Sequence, residues 1–537
     1  MGRRAASEAL SELVFAAELL GAACPIDVDA KVVSGLAWNV RGTEVAALSR
    51  LAGMTPELVA LVDDALHDRE PGLLADIKKL LPGGLFELRR VKGLGPRKVQ
   101  RLWKDLGIES LGELEYACRE NRLTTLDGFG DKTQAAILDQ LHALARDAGL
   151  LRRDHAAALA VDVVEGLRAA GARVELAGSL RRGCELIDEV VVVTSKEPTT
   201  APPARVRVVV AEPGRFGLTL LLATGSVSHV EALRDRADAR GLDLNTLDGD
   251  DEDSLYAQLG LWPVPPEQRE AGAVLVEVGH ARPELITRQA LRGALHNHTT
   301  ASDGVDDVLT MVKAAGARGL QWLGISDHSE AAAYAHGLDA KRLRAQREEL
   351  RAADGVDGVR VLAGVEADIM KEGHLDLDDE ALSSLQVVVA SMHQRYGLRG
   401  APMTERLVRA AKHPLVDVIG HPTGRLLLSR PPADFDVSAL LQACKQSGCA
   451  VELNANPARL DLAEQWLREA KDLGVLISIA ADAHAADELD NLDHGVALAR
   501  RAGLCVDDIL NTRSADDVLA WVVNRRAQAL AQKALVA

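Results

Sequence analysis

From about residue 288 onward, unbroken apolar runs alternate with stretches whose apolar residues recur every three or four positions. The runs are LQWLGIS, VRVLAGVEA, LQVVVASMH, VDVIGH, CAVELNA and VLISIAADAH. Short runs of this kind predict strands buried on both faces, and the amphipathic stretches between them predict helices. A β–α alternation sustained to the end of the sequence predicts a barrel-like domain. Residues 150 to about 285 alternate less regularly. AAALAVDVVEGLRAAG predicts a helix, while VELAGSLRRG, ELIDEVVVVTS and ARVRVVVAE predict strands. KEPTTAPPA is a loop, and LWPVPPEQREAG is a Pro-rich passage leading towards the last domain. Residues 1 to about 85 carry helical patterns broken by short Gly/Pro segments such as ACPID and REPG.

The polar residues at the ends of the later apolar runs carry the chemistry. LHNHTTASDG supplies His296, His298 and Asp303; SDHS supplies His328; GVEADI supplies Glu366. SMHQ, IGHPTGR and ADAH add His393, His421, Asp482 and His484. Imidazoles and carboxylates hold borderline divalent metals, and nine of them imply more than one ion. They fall where barrel enzymes place their active sites, at the strand ends. Arg425 in HPTGR is a candidate phosphate clamp, because a guanidinium matches phosphate oxygens bidentately. Asn454 and Arg459 are weaker candidates at the rim. His336, His413 and His494 read as ordinary histidines, and His374 is not assigned to the site.

Between residues 86 and about 146 two similar units follow one another, LRRVKGLGPRKVQRLWKDLGI and LTTLDGFGDKTQAAILDQL. Each places Gly-x-Gly before a helix: Gly93 and Gly95 in the first, Gly128 and Gly130 in the second. Glycines there allow a tight turn and a close approach to phosphate, and the next helix offers free N–H groups. Arg97, Lys98 and Lys132 add cations at that end. Both units resemble helix-hairpin-helix motifs, which grip DNA backbones without reading sequence.

At 537 residues the chain has room for three or four domains. A net charge of -17 argues against a general polyanion binder, so any contact with nucleic acid must rest on local motifs. The six cysteines show no CxxC spacing, which fits a reducing cytoplasm better than a disulfide framework. MGRRAASEALSELVFAAELLGAAC is interrupted by Glu8, Glu12 and Glu18 and reads as an amphipathic helix. No apolar run is long enough to span a membrane.

The order of motifs resembles the bacterial family X DNA polymerases that carry a C-terminal polymerase-and-histidinol-phosphatase (PHP) domain. The resemblance covers nearly the whole chain and is carried by GLGPRKVQRLWKDLGI, AGSLRRG, TGSVSH, LGLWPVPPEQRE and residues 293–520. It is weak over the first 80 residues, where a further hairpin motif is not evident around LAGMTPE. It implies a multidomain α/β chain: a helical N-terminal domain (1–85), a helix-hairpin-helix region (86–148), a nucleotidyltransferase-like domain (149–287) and a distorted (β/α) barrel (288–537). In the barrel it implies one ion on His296, His298, Glu366 and Asp482, and a second on Glu366, His393 and His421. Asp303, His328 and His484 would hold a third, with Glu366, Asp482 and Arg425 as the catalytic set. A His-rich site suits manganese or zinc better than magnesium. Ala294 and Ala481 depart from the family pattern beside the site without removing a ligand.

The middle domain departs from the family at its metal carboxylates. After Gly178, Ser179, Arg181 and Arg182 the family's Asp-x-Asp pair reads Asp188-Glu189-Val190-Val191, and the third acid is expected at Arg205. Leu222 and Ala223 replace an aromatic pair, and Thr246-Leu247 replaces an acidic-aromatic turn. Ser179, Arg182, Thr224, Gly225 and Ser226 remain as a vestigial nucleotide pocket. The implied activity is metal-dependent hydrolysis at DNA 3' ends, a 3'-5' exonuclease with 3'-phosphatase or abasic-site endonuclease activity, in cytoplasmic DNA repair. Template-directed synthesis is expected to be lost. The alternatives are an active repair polymerase, a phosphatase of small phosphomonoesters, and a non-enzymatic DNA-binding scaffold. The partner is gapped, nicked or 3'-ended duplex DNA, with no membrane.

Overall fold

The computed structural model describes residues 2–21, 24–25, 33, 55–67, 69, 71–146, 149–272 and 274–536. The chain forms two compact units, Met1–Ala143 and Leu144–Ala537. Most of the ACPID segment and the LAGM of LAGMTPE lie outside the described residues.

In the first unit, helices run over Gly2–Leu20, Pro56–Leu66 and Gly72–Lys78. Thr55 caps the second, its hydroxyl accepting from the Leu58 N–H at 3.4 Å. The two glycine units then repeat one local geometry thirty-five positions apart. Leu88, Val91 and Leu94 are buried in the first as Leu123, Leu126 and Phe129 are in the second. Gly93 has φ 90° and Gly128 has φ 86°, a conformation that disfavours any side chain. The helices Pro96–Leu106 and Asp131–Arg146 follow directly. A Cβ at Gly93, Gly95, Gly128 or Gly130 would meet nothing within 4 Å, so these turns face open space within the unit. Gln140 ties the second hairpin to the first, its Oε1 accepting from the Lys92 N–H at 2.7 Å.

The second unit begins with a small α+β domain. Strands β1 (Leu151–Arg152) and β3 (Leu186–Ile187) pair antiparallel. β2 (Val174–Ala177), β4 (Val190–Thr194) and β5 (Val206–Val210) form a three-stranded sheet in the order β2-β4-β5, with β4 and β5 parallel. The run expected to be a strand through AGSLRRG ends at Ala177, where Gly178 at φ 61° turns the chain into a short helix, Gly178–Arg181.

Seven parallel strands close the expected barrel: β6 (Gly293–Asn297), β7 (Trp322–Ile325), β8 (Arg360–Asp368), β9 (Val387–Ser391), β10 (Val418–Gly420), β11 (Ala450–Asn454) and β12 (Ile477–Ala483). Leu295, Trp322, Leu362, Val387, Val389, Val418 and Ala450 share one buried cluster with Leu510, Val518 and Val522. Val518 and Val522 belong to the C-terminal helix Ala515–Val536, which packs against this part of the barrel. Asp417 fastens that helix: its buried carboxylate accepts from Arg525 Nη2 at 2.9 Å and Arg526 Nη2 at 2.5 Å. The opposite, C-terminal strand ends are left to polar chemistry.

Candidate metal centre

Those strand ends bring all nine expected residues into one nest. Eight are buried, and His393 keeps only 11% of its side chain exposed. Glu366, near the end of β8, is the hub. Its Oε1 lies 2.9 Å from His421 Nε2, 3.1 Å from His296 Nε2 and 3.3 Å from His393 Nε2. Its Oε2 lies 2.8 Å from His328 Nδ1 and 3.8 Å from His298 Nε2. Asp482 Oδ1 stands 3.3 Å from His298 Nε2, and Asp303 stands 3.4 Å from His328 Nε2 and 3.5 Å from His484 Nε2. Donor atoms mutually within 4.8 Å fall into four overlapping groups: His298/Asp303/His328/His484, His296/His298/Asp482, His296/Glu366/His421 and His328/Glu366/His393. His298 is thus shared between groups, and so is His328, which the grouping implied by sequence assigns to single ions.

The donor set fits divalent ions. His296 Nε2, both nitrogens of His298, Asp303 Oδ2, His328 Nδ1 and Glu366 Oε2 are buried and make no hydrogen bond within the protein. Such atoms are costly to bury unless something else satisfies them. Burial lowers the pKa values of His298 and His421, while His296, His328 and His393 are shifted the opposite way. Burial opposes a charge on His296, but Glu452, Glu366 and Asp482 outweigh it and lift its pKa well above the ordinary histidine value. Burial likewise opposes charging His328 and His393, and Asp303, Glu366 and Asp368 raise both. Against the same burial, His296, His393 and His328 hold Glu366 well below the usual carboxylate range. The clusters suit more than one ion.

Several residues that hold this arrangement were not picked out from sequence. Glu452, on β11, accepts from His296 Nδ1 at 2.6 Å and from the His421 N–H at 2.9 Å. Asp368, two residues beyond Glu366 on β8, stands 2.9 Å from His393 Nδ1. Asp327 accepts from the Thr299 N–H, Ser302 and Gln346, and so fixes the loop after β6. Carboxylates of this kind set which imidazole nitrogen carries the proton. The available signals were an acid embedded in an apolar run (CAVELNA) and an acid at i+2 on one strand face (EAD). His296 and Asp482 also adopt positive φ, 61° and 51°, strain of about 1–3 kcal/mol each that is characteristic of functional sites.

Arg425, the expected clamp, is engaged within the protein. Its Nη2 donates to Glu185 Oε1 at 2.6 Å and to the Leu460 carbonyl, and its Nε to the Arg459 carbonyl at 3.0 Å. The guanidinium at the cluster is that of Arg459, whose Nε lies 3.5 Å from Asp482 Oδ2. Asn454, also expected at the rim, is buried and donates to Asp482 Oδ2 and Glu452 Oε1, both at 2.9 Å. His374 is exposed beside Glu372 and outside the nest.

Family comparisons agree with both ends of the chain. The PHP domain model matches residues 294–456, and the SAM-like helix-hairpin-helix tandem model matches 86–143. The chain is 31% identical over 527 residues to the DNA polymerase/3'-5' exonuclease PolX of Bacillus subtilis (strain 168), covering 89% of this chain and 92% of that one. The chain belongs to the PolX family. A "probable phosphatase" of Thermoanaerobacter sp. (strain X514) is 30% identical over 229 residues, which is 40% of this chain and 89% of that protein. Histidinol phosphate phosphatase from Lactococcus lactis, solved with zinc, L-histidinol and phosphate, covers 40% of this chain at 17% identity and a TM-score of 0.30. As a PolX member with a PHP domain, the chain is a metal-dependent phosphoesterase.

The middle domain carries ion pairs at the positions singled out in its sequence. β4 and β5 run in register with Val191 opposite Arg207, and Arg207 Nε donates to Glu189 Oε2 at 2.7 Å. The cation across from the acid pair is therefore Arg207. Arg205, expected there, precedes β5 at φ 72° and donates to the carbonyls of Gly149 and Asp188. The residues expected to form a nucleotide pocket are engaged within the domain. Arg182 Nε donates to Glu270 at 2.8 Å and its Nη1 to the Thr224 carbonyl. Thr224 Oγ1 is buried and accepts from Arg181, Ser226 caps the helix Val227–Asp238, and Ser179 reaches Asp188 at 3.4 Å. A Cβ at Gly225 would come within 3.0 Å of Val230.

Proposed function

We propose that the chain hydrolyses phosphodiester bonds at DNA 3' ends in the barrel mouth and no longer polymerises. The observation that carries this reading is the buried nest of imidazole and carboxylate atoms centred on Glu366, in which His296 Nε2, both nitrogens of His298, Asp303 Oδ2, His328 Nδ1 and Glu366 Oε2 make no hydrogen bond within the protein. His296, His298, Glu366 and Asp482 would hold one ion; Glu366, His393 and His421 a second; Asp303, His328 and His484 a third. Manganese or zinc suits these donors better than magnesium. Bound ions of this class make a water nucleophilic near neutral pH and offset charge at phosphorus. Glu452 and Asp368 hold the rings of His296 and His393 so that their Nε2 atoms face Glu366. Arg459 adds a fixed positive charge beside Asp482.

The glycine turns and the cations Arg97, Lys98 and Lys132 would grip the duplex backbone, and the division at about 85, 148 and 287 belongs to the same reading. The name of the Bacillus subtilis relative supports the DNA 3' end as substrate, with 3'-phosphatase and abasic-site cleavage as further activities. A DNA substrate is consistent with a cytoplasmic location. Loss of synthesis is supported by the Glu189–Arg207 ion pair and by Val191 at the positions where carboxylates are needed. The test is a 5'-labelled primer on a longer template with Mn²⁺, with and without dNTPs, alongside His484→Ala. Shortening abolished by the substitution, with no extension, is expected. Untouched 3' ends would falsify the nuclease reading, and extension would restore the polymerase one.

A second reading, a phosphatase of small phosphomonoesters, is favoured by the "probable phosphatase" that matches the C-terminal part alone. Turnover of a soluble monoester far above that of oligonucleotides is its signature.

A further inference from the structure

The loop that carries GSLRRGCE in the middle domain reaches the wall of the barrel mouth. Glu185 is the last residue of that motif. Its Oε1 accepts from Arg425 Nη2 at 2.6 Å, with only 24% and 12% of the two side chains exposed. Arg425 spends its remaining described contacts on the carbonyls of Arg459 and Leu460. Those carbonyls belong to the turn that presents Arg459 to Asp482. Asp461 closes the same turn onto the Arg425 loop, its carboxylate accepting from the Thr423 N–H at 3.0 Å and hydroxyl at 2.9 Å. A second tie holds the domain in place. Arg501 of the barrel donates to the Arg182 carbonyl at 2.9 Å and to Glu270 Oε1 at 3.1 Å, while its Nε pairs with Glu464 at 2.9 Å. A guanidinium shared by one carboxylate and two carbonyls is a rigid junction, because its donors lie in one plane. Removing the carboxylate leaves a half-desolvated cation that reorients towards water and releases the carbonyls.

We propose that Glu185 of the middle domain is a positioning residue for the phosphoesterase site: through Arg425 it sets the 456–462 turn and hence Arg459 beside Asp482. The former nucleotide-binding loop then serves the barrel as a strut. This rests on the nuclease reading above, and the test separates the two.

Glu185→Gln and Glu185→Asp are compared with the full-length protein on a 5'-labelled oligonucleotide and on the p-nitrophenyl ester of thymidine 5'-monophosphate, both with Mn²⁺. Amide hydrogen exchange across residues 456–462 is followed in parallel. Glu185→Gln should lower kcat about tenfold on both substrates, in the range seen when the outer partners of a metal site are lost. KM should change little, exchange should rise locally in 456–462, and Glu185→Asp should restore most of the rate. Unchanged kcat and exchange would overturn the proposal. So would a rise in KM for the oligonucleotide alone, which would make Glu185 a DNA contact, or faster exchange throughout the barrel, which would make it a general stabiliser. If the unsubstituted protein hydrolyses neither substrate, the nuclease reading fails, and the exchange measurement still decides whether the strut exists.

Discussion

Replacing Glu452 by Gln tests how the metal centre chooses its protons. A carboxylate only accepts hydrogen bonds, so Glu452 Oε2, 2.6 Å from His296 Nδ1, requires the proton on Nδ1. The Nε2 lone pair then faces Glu366 at 3.1 Å and Asp482 at 3.7 Å, where an ion is to be held. Glu452 Oε1 already accepts from the His421 N–H and from Asn454 Nδ2, each at 2.9 Å. A glutamine must keep its single oxygen for those two donors, which turns its NH₂ towards His296 Nδ1. Nδ1 becomes the acceptor, the proton moves to Nε2, and one imidazole is withdrawn from the ion. The expected loss is about 10- to 100-fold in metal affinity, or about 1.4–2.7 kcal/mol. Calorimetric titration of metal-stripped protein with Mn²⁺ measures it. Glu452→Ala should in addition destabilise the metal-free fold, by about 1–3 kcal/mol for each buried N–H left without a partner. An affinity for Glu452→Gln within threefold of the parent would refute the tautomer argument.

Three further outcomes follow from other parts of the molecule. Asp417→Ala leaves Arg525 without its carboxylate in a buried site, so urea denaturation should show a loss of about 3–5 kcal/mol; a change under 1 kcal/mol would mean the C-terminal helix is held by apolar packing alone. Arg97→Ala and Lys132→Ala should weaken duplex binding equally for all sequences and each reduce the log–log salt slope by about 0.9; a slope unchanged in both would remove the hairpins from the interface. The raised pKa values of His296, His328 and His393 bias these rings towards the protonated form in the metal-free chain, so metal binding should release protons and tighten with pH, as calorimetry in buffers of different ionisation enthalpy reports. For the metal-free fold the signs are these. Histidines raised above 6.5 stabilise below that value and lose the effect as pH rises through their folded pKa. Asp303, Glu366 and Asp482, lowered from 3.8 and 4.5, stabilise above those values and lose the effect as pH falls through theirs. The contribution of these six groups to the melting temperature should therefore be largest between about pH 4.5 and 6.5, whereas His298 and His421, lowered by burial, stabilise above 6.5 and lose the effect as pH falls below it.

The barrel and its nest were legible because both are written in short range. Each apolar run such as LQVVVASMH codes a buried strand, and each ligand follows its strand within a few residues, so spacing alone assembles the set. The sharing of His298 and His328 between groups was not legible, since it depends on where seven strands close around Glu366. Arg425 shows the same limit more sharply. HPTGR announces an arginine near the mouth, but its partner Glu185 lies 240 positions away, and only the packing of two domains reveals that the guanidinium is already engaged. Arg459 looked peripheral for the converse reason: the turn that folds it back onto Asp482 is closed by Asp461 and Thr423, a pairing 38 residues apart. On β5, which arginine meets Glu189 was not legible, since a run of valines leaves the register open; Arg207, opposite Val191, reaches it at 2.7 Å.

The middle domain keeps its GSLRRG motif, and the contacts of that motif give a physical reason. Arg181 pairs with Glu252 at 2.6 Å, and Glu252 is shared with the buried Arg269. Arg182 pairs with Glu270, which Arg501 of the barrel also holds. A single substitution in either network leaves a charge buried without its partner, a cost of about 3–5 kcal/mol, whereas losing an exposed metal carboxylate costs the fold little. Folding stability alone is therefore a reason to retain GSLRRG. If instead the motif were kept for a bound triphosphate, Arg182 should be free to reach it, and dNTPs should raise the melting temperature of the full chain in a manner lost in Arg182→Lys. With Arg182 held between Glu270 and the Thr224 carbonyl, no such shift is expected.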